Sequence, residues 1–196
     1  MNGIPGSVER ERSPDRTQPH FGFQKAVWIL PCVWALHEAE EWNILAWFHM
    51  YWVNVPQVTE IELWTWLAFI TFVGFAWTFL VILPSNPRAA ALIVLPFFTV
   101  IAFGNALQHV YFVFKFGDYA PGVVTAVLLI IQSVLYLTRL ALLDGLIPWW
   151  YASVIYLPVI PQLVLVIRSG NEVPPMIHAL ARFSASLSKL IFGSGG

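Results

Sequence analysis

The chain is poor in charge and nearly without cysteine. Only 11% of its 196 residues are Asp, Glu, Lys or Arg, against about a quarter in an ordinary soluble domain. The hydrophobic share is 58%, and the mean hydropathy is +0.70. Such a chain lacks the polar side chains to coat a water-soluble globule, which excludes an ordinary cytosolic domain and indicates a polytopic membrane protein. The one cysteine, Cys32, excludes an intramolecular disulfide and any multi-cysteine zinc site. Lys and Arg number 10 and Asp and Glu 11, so there is no basic excess to suggest nucleic acid. Sustained polar–apolar alternation is also missing, which argues against a membrane β-barrel.

What is present is a series of long apolar runs. A helix needs roughly 20 mostly apolar residues to cross the hydrocarbon layer, and about five segments qualify: 26–53, 61–83, 89–114, 122–140 and 147–167. The expected fold is all-α, a polytopic integral membrane helical bundle of about five transmembrane helices. Residues 1–24 read as a polar, flexible N-terminal tail, and 25–168 as the bundle. No small-residue cleavage site follows a short apolar core near the start, so a cleaved signal peptide is not expected. Residues 169–196 read as an interfacial amphipathic helix, with Arg182 and Lys189 opposite its apolar face, ending in a flexible GSGG. A small excess of basic residues, led by Arg10, Arg12 and Arg16 in the tail, places the N-terminus on the cytoplasmic side.

The first run carries the most informative feature, WALHEAEEW, with His37, Glu38, Glu40 and Glu41 amid apolar residues. An ionised carboxylate at the bilayer centre costs about 2.5–3.5 kcal/mol on insertion scales, so these groups must turn inward and be neutralised. At about 100° per residue, His37, Glu40 and Glu41 share an arc of about 100°, with Glu38 at its margin. No Lys or Arg stands in the middle of any run. Either a divalent cation or shared protons must then offset the carboxylates. In the third run Asn105 and His109 lie four residues apart, on one helical face, with Gln108 at its flank. Together, His37, Glu40, Glu41 and His109 make a two-histidine, two-carboxylate set suited to Zn, Fe or Mn. A helix lying on the membrane surface, with its acidic side in water, is the plainer alternative. His49 reads as a packing residue, and Glu60, Glu62, Asp118 and Asp144 as structural. Pro121 and Gly122 open the fourth helix, whose free N–H groups suit an anion or a carbonyl oxygen as well as a tight turn.

These residues resemble the HXXEE-domain integral membrane proteins. The hallmark is His37-Glu38-Ala39-Glu40-Glu41, followed by Asn105-Ala106-Leu107-Gln108-His109 and by Tyr119-Ala120-Pro121-Gly122 with Thr125. The family comprises small multi-span membrane proteins without an assigned function. The resemblance implies a metal-binding or enzymatic site on His37, Glu40, Glu41, Asn105 and His109, with Tyr119 as a weaker member. It leaves Glu38 at a variable position and names no substrate.

Three functions fit. The first is a membrane-embedded metalloenzyme on a lipid-soluble substrate. In it His37, Glu40, Glu41 and His109 hold the ion, a spare carboxylate or Tyr119 moves protons, and Asn105 orients substrate or water. The second is a metal-free acid/base isomerase or cyclase of a polyprenoid or sterol-like substrate, aided by Trp34 and Trp42. The third is a non-enzymatic metal or proton carrier or sensor, against which stands the absence of paired broken helices. The partners expected are the lipid bilayer and a hydrophobic small molecule or lipid.

Overall fold

A computed structural model describes residues 22–84 and 86–193. Nearly all of the expected tail 1–24, and most of the closing GSGG, lie outside the described residues. Helices α1 (Phe23–Ala26), α2 (Ile29–Glu40) and α3 (Ile44–Tyr51) come first. A helix of 23 residues, α4 (Glu60–Ile82), follows. Then come α5 (Pro87–Phe98) and α6 (Gly104–Phe116), joined by a π turn, Thr99–Phe103. A short α7 (Val123–Thr125) leads through a second π turn, Ala126–Ile130, into α8 (Ile131–Leu143). The chain closes with α9 (Trp149–Val154), α10 (Val159–Arg168) and α11 (Pro175–Phe192). Among the described residues there is no strand, only a backbone bridge between Val53 and Glu172.

Four helical segments among the described residues are long and apolar enough to cross a membrane: Glu60–Ile82, Pro87–Phe116, Val123–Leu143 and Trp149–Arg168. The protein is an all-helical, multi-pass membrane bundle. The first expected span, 26–53, differs from expectation. It is broken at 41–43 into α2 and α3, neither long enough to cross alone. The break has a visible cause. The Trp42 carbonyl accepts from the Trp64 indole of α4 at 3.1 Å, and a side chain that takes a helix carbonyl opens the ladder at that point.

Local chemistry sets the other helix ends. The Thr59 side chain accepts from the Glu62 N–H, and the Glu62 carboxylate accepts from the Thr59 N–H, a reciprocal cap that starts α4. Asn86 caps α5, with Pro87 at its first position. Pro96, inside α5, has no N–H for the Leu92 carbonyl. The Tyr151 hydroxyl donates to that carbonyl instead, at 2.5 Å. Four residues beyond Pro96, in the π turn, the Val100 carbonyl accepts from the Gln162 amide at 3.1 Å.

Small residues let the helices approach closely. Ala90, Ala91, Ala102, Ala106, Ala126 and Ala141 are all fully buried or nearly so. One apolar cluster gathers α1, α2, α5 and α8. A second, aromatic one forms around Trp47, Phe48, Trp52 and Phe112. At its edge Lys115 lies 3.9 Å over the Trp52 ring and donates to the Gly170 carbonyl. That contact ties the end of α6 to the connection leading into α11.

The Pro96 repair yields a prediction. Tyr151→Phe removes the donor to Leu92 and leaves a carbonyl without its partner, at a cost of about 1 kcal/mol. The expected result is a lower unfolding midpoint in detergent with unchanged helix content by circular dichroism. An unchanged midpoint would count against the repair.

Candidate functional site

The polar cluster sits where α2 ends against α6 and α7. His37 is wholly buried, His109 is 1% exposed and Glu41 is 7% exposed. The ligand atoms of these three residues all lie within 4.8 Å of one another. Glu41 Oε1 stands 2.6 Å from His109 Nε2 and 3.1 Å from His37 Nε2. The two imidazole rings meet edge to face at 5.0 Å. Trp34 flanks His37 at 5.6 Å, whereas Trp42 is 60% exposed and does not take part.

The hydrogen bonds constrain where the protons are. Thr125 Oγ1 lies 2.6 Å from Glu40 Oε2 and 2.9 Å from His37 Nδ1. A hydroxyl has one proton. Thr125 gives it to the carboxylate, so His37 must donate from Nδ1. His37 Nε2 then faces Asn105 Oδ1 at 2.6 Å and Glu41 Oε1 at 3.1 Å. Both are lone-pair oxygens. A third lone pair among them is stable only with a positive centre between, either a proton or a metal ion. Turning the Asn105 amide relieves one contact and leaves the other. Among the described residues, Glu41 Oε1 makes no aligned hydrogen bond despite both close approaches, and His109 Nδ1 is buried without a partner. His37, Glu41 and His109 together form a buried group that could hold a metal ion.

Glu40 goes elsewhere. Its carboxylate accepts from the backbone N–H of Thr125 at 2.8 Å and of Val124 at 3.2 Å, and from the Tyr119 hydroxyl at 2.7 Å. It therefore occupies the anion position at the start of the fourth helical run, where free N–H groups and the helix dipole favour a negative charge. Expected as both ligand and catalytic group, Glu40 is separated from the histidine pair by Thr125. Tyr119, expected as a proton carrier, is spent on Glu40. Partial burial and that carboxylate push its phenol up to about 12. Asn105 and His109 do join His37 and Glu41. Glu38 is buried, with no hydrogen bond to the described residues. His49 is exposed.

Two residues that the sequence reading did not assign to the site belong to it. Thr125 links Glu40 to His37. Gly122, at φ +92°, lets the backbone pass so close that an added Cβ would lie 2.8 Å from His37 Cε1, 3.0 Å from His109 Cε1 and 3.1 Å from Glu41 Cγ. Both stand in the Tyr119–Thr125 pattern, so a signal for them existed. Gln108 is a third addition. It is 7% exposed and its amide finds no partner among the described residues.

A cavity of about 140 Å³ leads away from the polar cluster. Glu41, Asn105, Gln108 and His109 form its polar end. The remaining wall is mostly apolar, from α3, α4, the 55–58 connection and α11. The α11 residues are Ile177, Leu180, Ala181 and Ser184, spaced as one helical stripe. The Ser184 hydroxyl donates to the Glu62 carbonyl and holds α11 on α4.

Two substitutions separate the parts of this arrangement. Gly122→Ala brings a clash and an unfavourable φ together, at a cost of roughly 1–3 kcal/mol. Glu40→Ala removes the anion from the helix start, at a cost of about 1 kcal/mol. Denaturant titration in detergent should show both variants folded but destabilised, Gly122→Ala the more so. A neutral Gly122→Ala would show that the backbone does not approach the two imidazoles as described.

The family model described as "Protein of unknown function with HXXEE motif" matches residues 28–137. No curated protein and no solved structure shows significant similarity to the chain. The match takes in more than half of the chain and every residue of the polar cluster, from His37 to Thr125, so the chain belongs to the HXXEE family, whose function is unknown.

Proposed function

We propose that this protein is a membrane-embedded metalloenzyme in which His37, Glu41 and His109 hold a divalent ion, and that its substrate is lipid-soluble. The observation that carries the reading is the convergence of three buried ligand atoms at the polar end of an apolar cavity. Two histidines and one carboxylate suit zinc in hydrolytic sites and iron in oxygen-using ones. Three protein ligands with one side left open are the hallmark of catalytic rather than structural metal sites. Here Glu41 and His109 border the cavity, and His37 lies behind them.

When bound, such an ion polarises a substrate oxygen or activates water. The chain's own residues do the rest. Glu40 and Thr125 hold the His37 Nδ1 proton and fix which ring nitrogen faces the centre, as second-shell partners do in metal proteins. Asn105 stands beside His37 Nε2 and borders the cavity, placed to orient a substrate oxygen or a water. The apolar wall excludes bulk water and strengthens every charge interaction at the polar end. The orientation proposed with this reading puts the N-terminal tail on the cytoplasmic side, from its arginines.

Elemental mass spectrometry on the purified wild type and on a His37→Ala/Glu41→Gln double variant tests the proposal. About one Zn, Fe or Mn per chain is expected in the wild type and none in the variant. Thr125→Val should bind the ion about 10–100-fold more weakly. A folded wild type that stays metal-free after incubation with all three ions overturns the reading. The positive centre would then be a proton, and metal-free acid/base chemistry would take its place.

A further inference from the structure

The cavity beside the cluster is specific enough in size and charge to name what it receives. An apolar protein cavity of about 150 Å³ holds one benzene molecule, and this one measures about 140 Å³. The space beside the polar groups is therefore enough for about one six-carbon ring. No Lys or Arg lines the wall, and the ionisable groups bordering it are Glu41 and His109, 2.6 Å apart. A carboxylate or phosphate entering here would meet no cation and would face Glu41. An ammonium would lose its hydration and compete with two imidazoles for the same oxygen. Gln108 offers the opposite: an amide on the cavity wall that carries both a donor and an acceptor. A ligand hydroxyl or carbonyl oxygen can pair with that amide without bringing a charge beside Glu41.

We propose that the cavity binds a compact, electrically neutral alcohol or carbonyl compound, its oxygen on Gln108 and its ring against the Ile177–Leu180–Ala181–Ser184 stripe of α11, which sets the size limit. This deepens the reading of the site as a metalloenzyme centre by naming its substrate class. Binding itself needs only the cavity wall, so the two stand or fall separately.

Fluorine NMR on the full chain in detergent tests it, with 4-fluorobenzyl alcohol, 4-fluorobenzylamine and 4-fluorobenzoate as probes and protein-free micelles as the reference. The alcohol should bind saturably, and the amine and the benzoate at least about tenfold more weakly. Ala181→Trp fills the cavity and should weaken the alcohol by at least about tenfold. Gln108→Leu should weaken the alcohol by about tenfold and leave 4-fluorotoluene unchanged, a control that stands if Ala181→Trp does not fold. Chelator-treated wild type should bind the alcohol within about threefold of untreated protein, which separates this proposal from the metal reading. Equal binding of the benzoate or the amine, indifference to both cavity variants, or no binding at all overturns the proposal. Loss of binding on chelation does so too, since the oxygen would then rest on a metal ion and not on Gln108.

Discussion

The Glu41 carboxylate is the group around which this bundle is arranged. It is buried in surroundings where an unpaired charge is unstable, and its compensation comes from two separate helices. His37 is one turn back on α2 and His109 is on α6. Both helices must therefore close on one point. The loop before α7 must pass that point as well, and at Gly122 a side chain would clash and strain the backbone. The neighbouring carboxylate, Glu40, completes the arrangement by capping the fourth helical run at Val124 and Thr125. Two adjacent acids thus fix three elements. One is held by imidazoles, the other by backbone N–H groups, and Thr125 connects them.

A second constraint shapes the spans. Inside lipid every backbone carbonyl must find a donor within the protein. Pro96 frees the Leu92 carbonyl and Tyr151 takes it. Gln162 donates to Val100, and Trp64 donates to Trp42. The two π turns flank the cluster, one ending just before Asn105 and the other starting just after Thr125. Such turns shift the register of the helix that follows and recur at functional positions. At Pro96, at the first π turn and at the 41–43 break, a side chain from a neighbouring helix supplies the donor.

The sequence made the all-helical bundle legible because apolar run length is a direct measure of membrane-crossing ability. It also made His37, Glu41, Asn105 and His109 legible, because helical spacing places each pair on one face whatever the tertiary structure. It did not separate Glu40 from Glu41. Their helical angles differ by one residue step, and only the position of α7 decides which carboxylate meets histidine and which meets backbone. The free N–H groups at the start of the fourth run and the surplus carboxylate in the first were both visible. That each satisfies the other depends on a contact between residues 85 apart. The break at 41–43 was hidden for the same reason, since the donor that opens it, Trp64, lies on another helix. The amphipathic stripe of α11 was readable as a stripe, but not as the wall of a cavity.

That last element divides the molecule in a useful way. The segment matched by the family, 28–137, contains every ligand-type residue of the cluster together with Gly122 and Thr125. Helix α11 lies beyond it, yet its stripe closes the cavity that reaches Glu41 and His109. The polar end is held by short contacts among buried groups, where a displacement of a few tenths of an ångström is felt. The α11 wall is built from Ile177, Leu180 and Ala181, whose apolar surface tolerates a change of volume far better than a buried ion pair tolerates a change of charge. A substitution in α11 therefore reshapes the cavity wall more readily than it disturbs the polar end. The polar groups and the α11 wall come from separate stretches of one chain, and the cavity is where they meet.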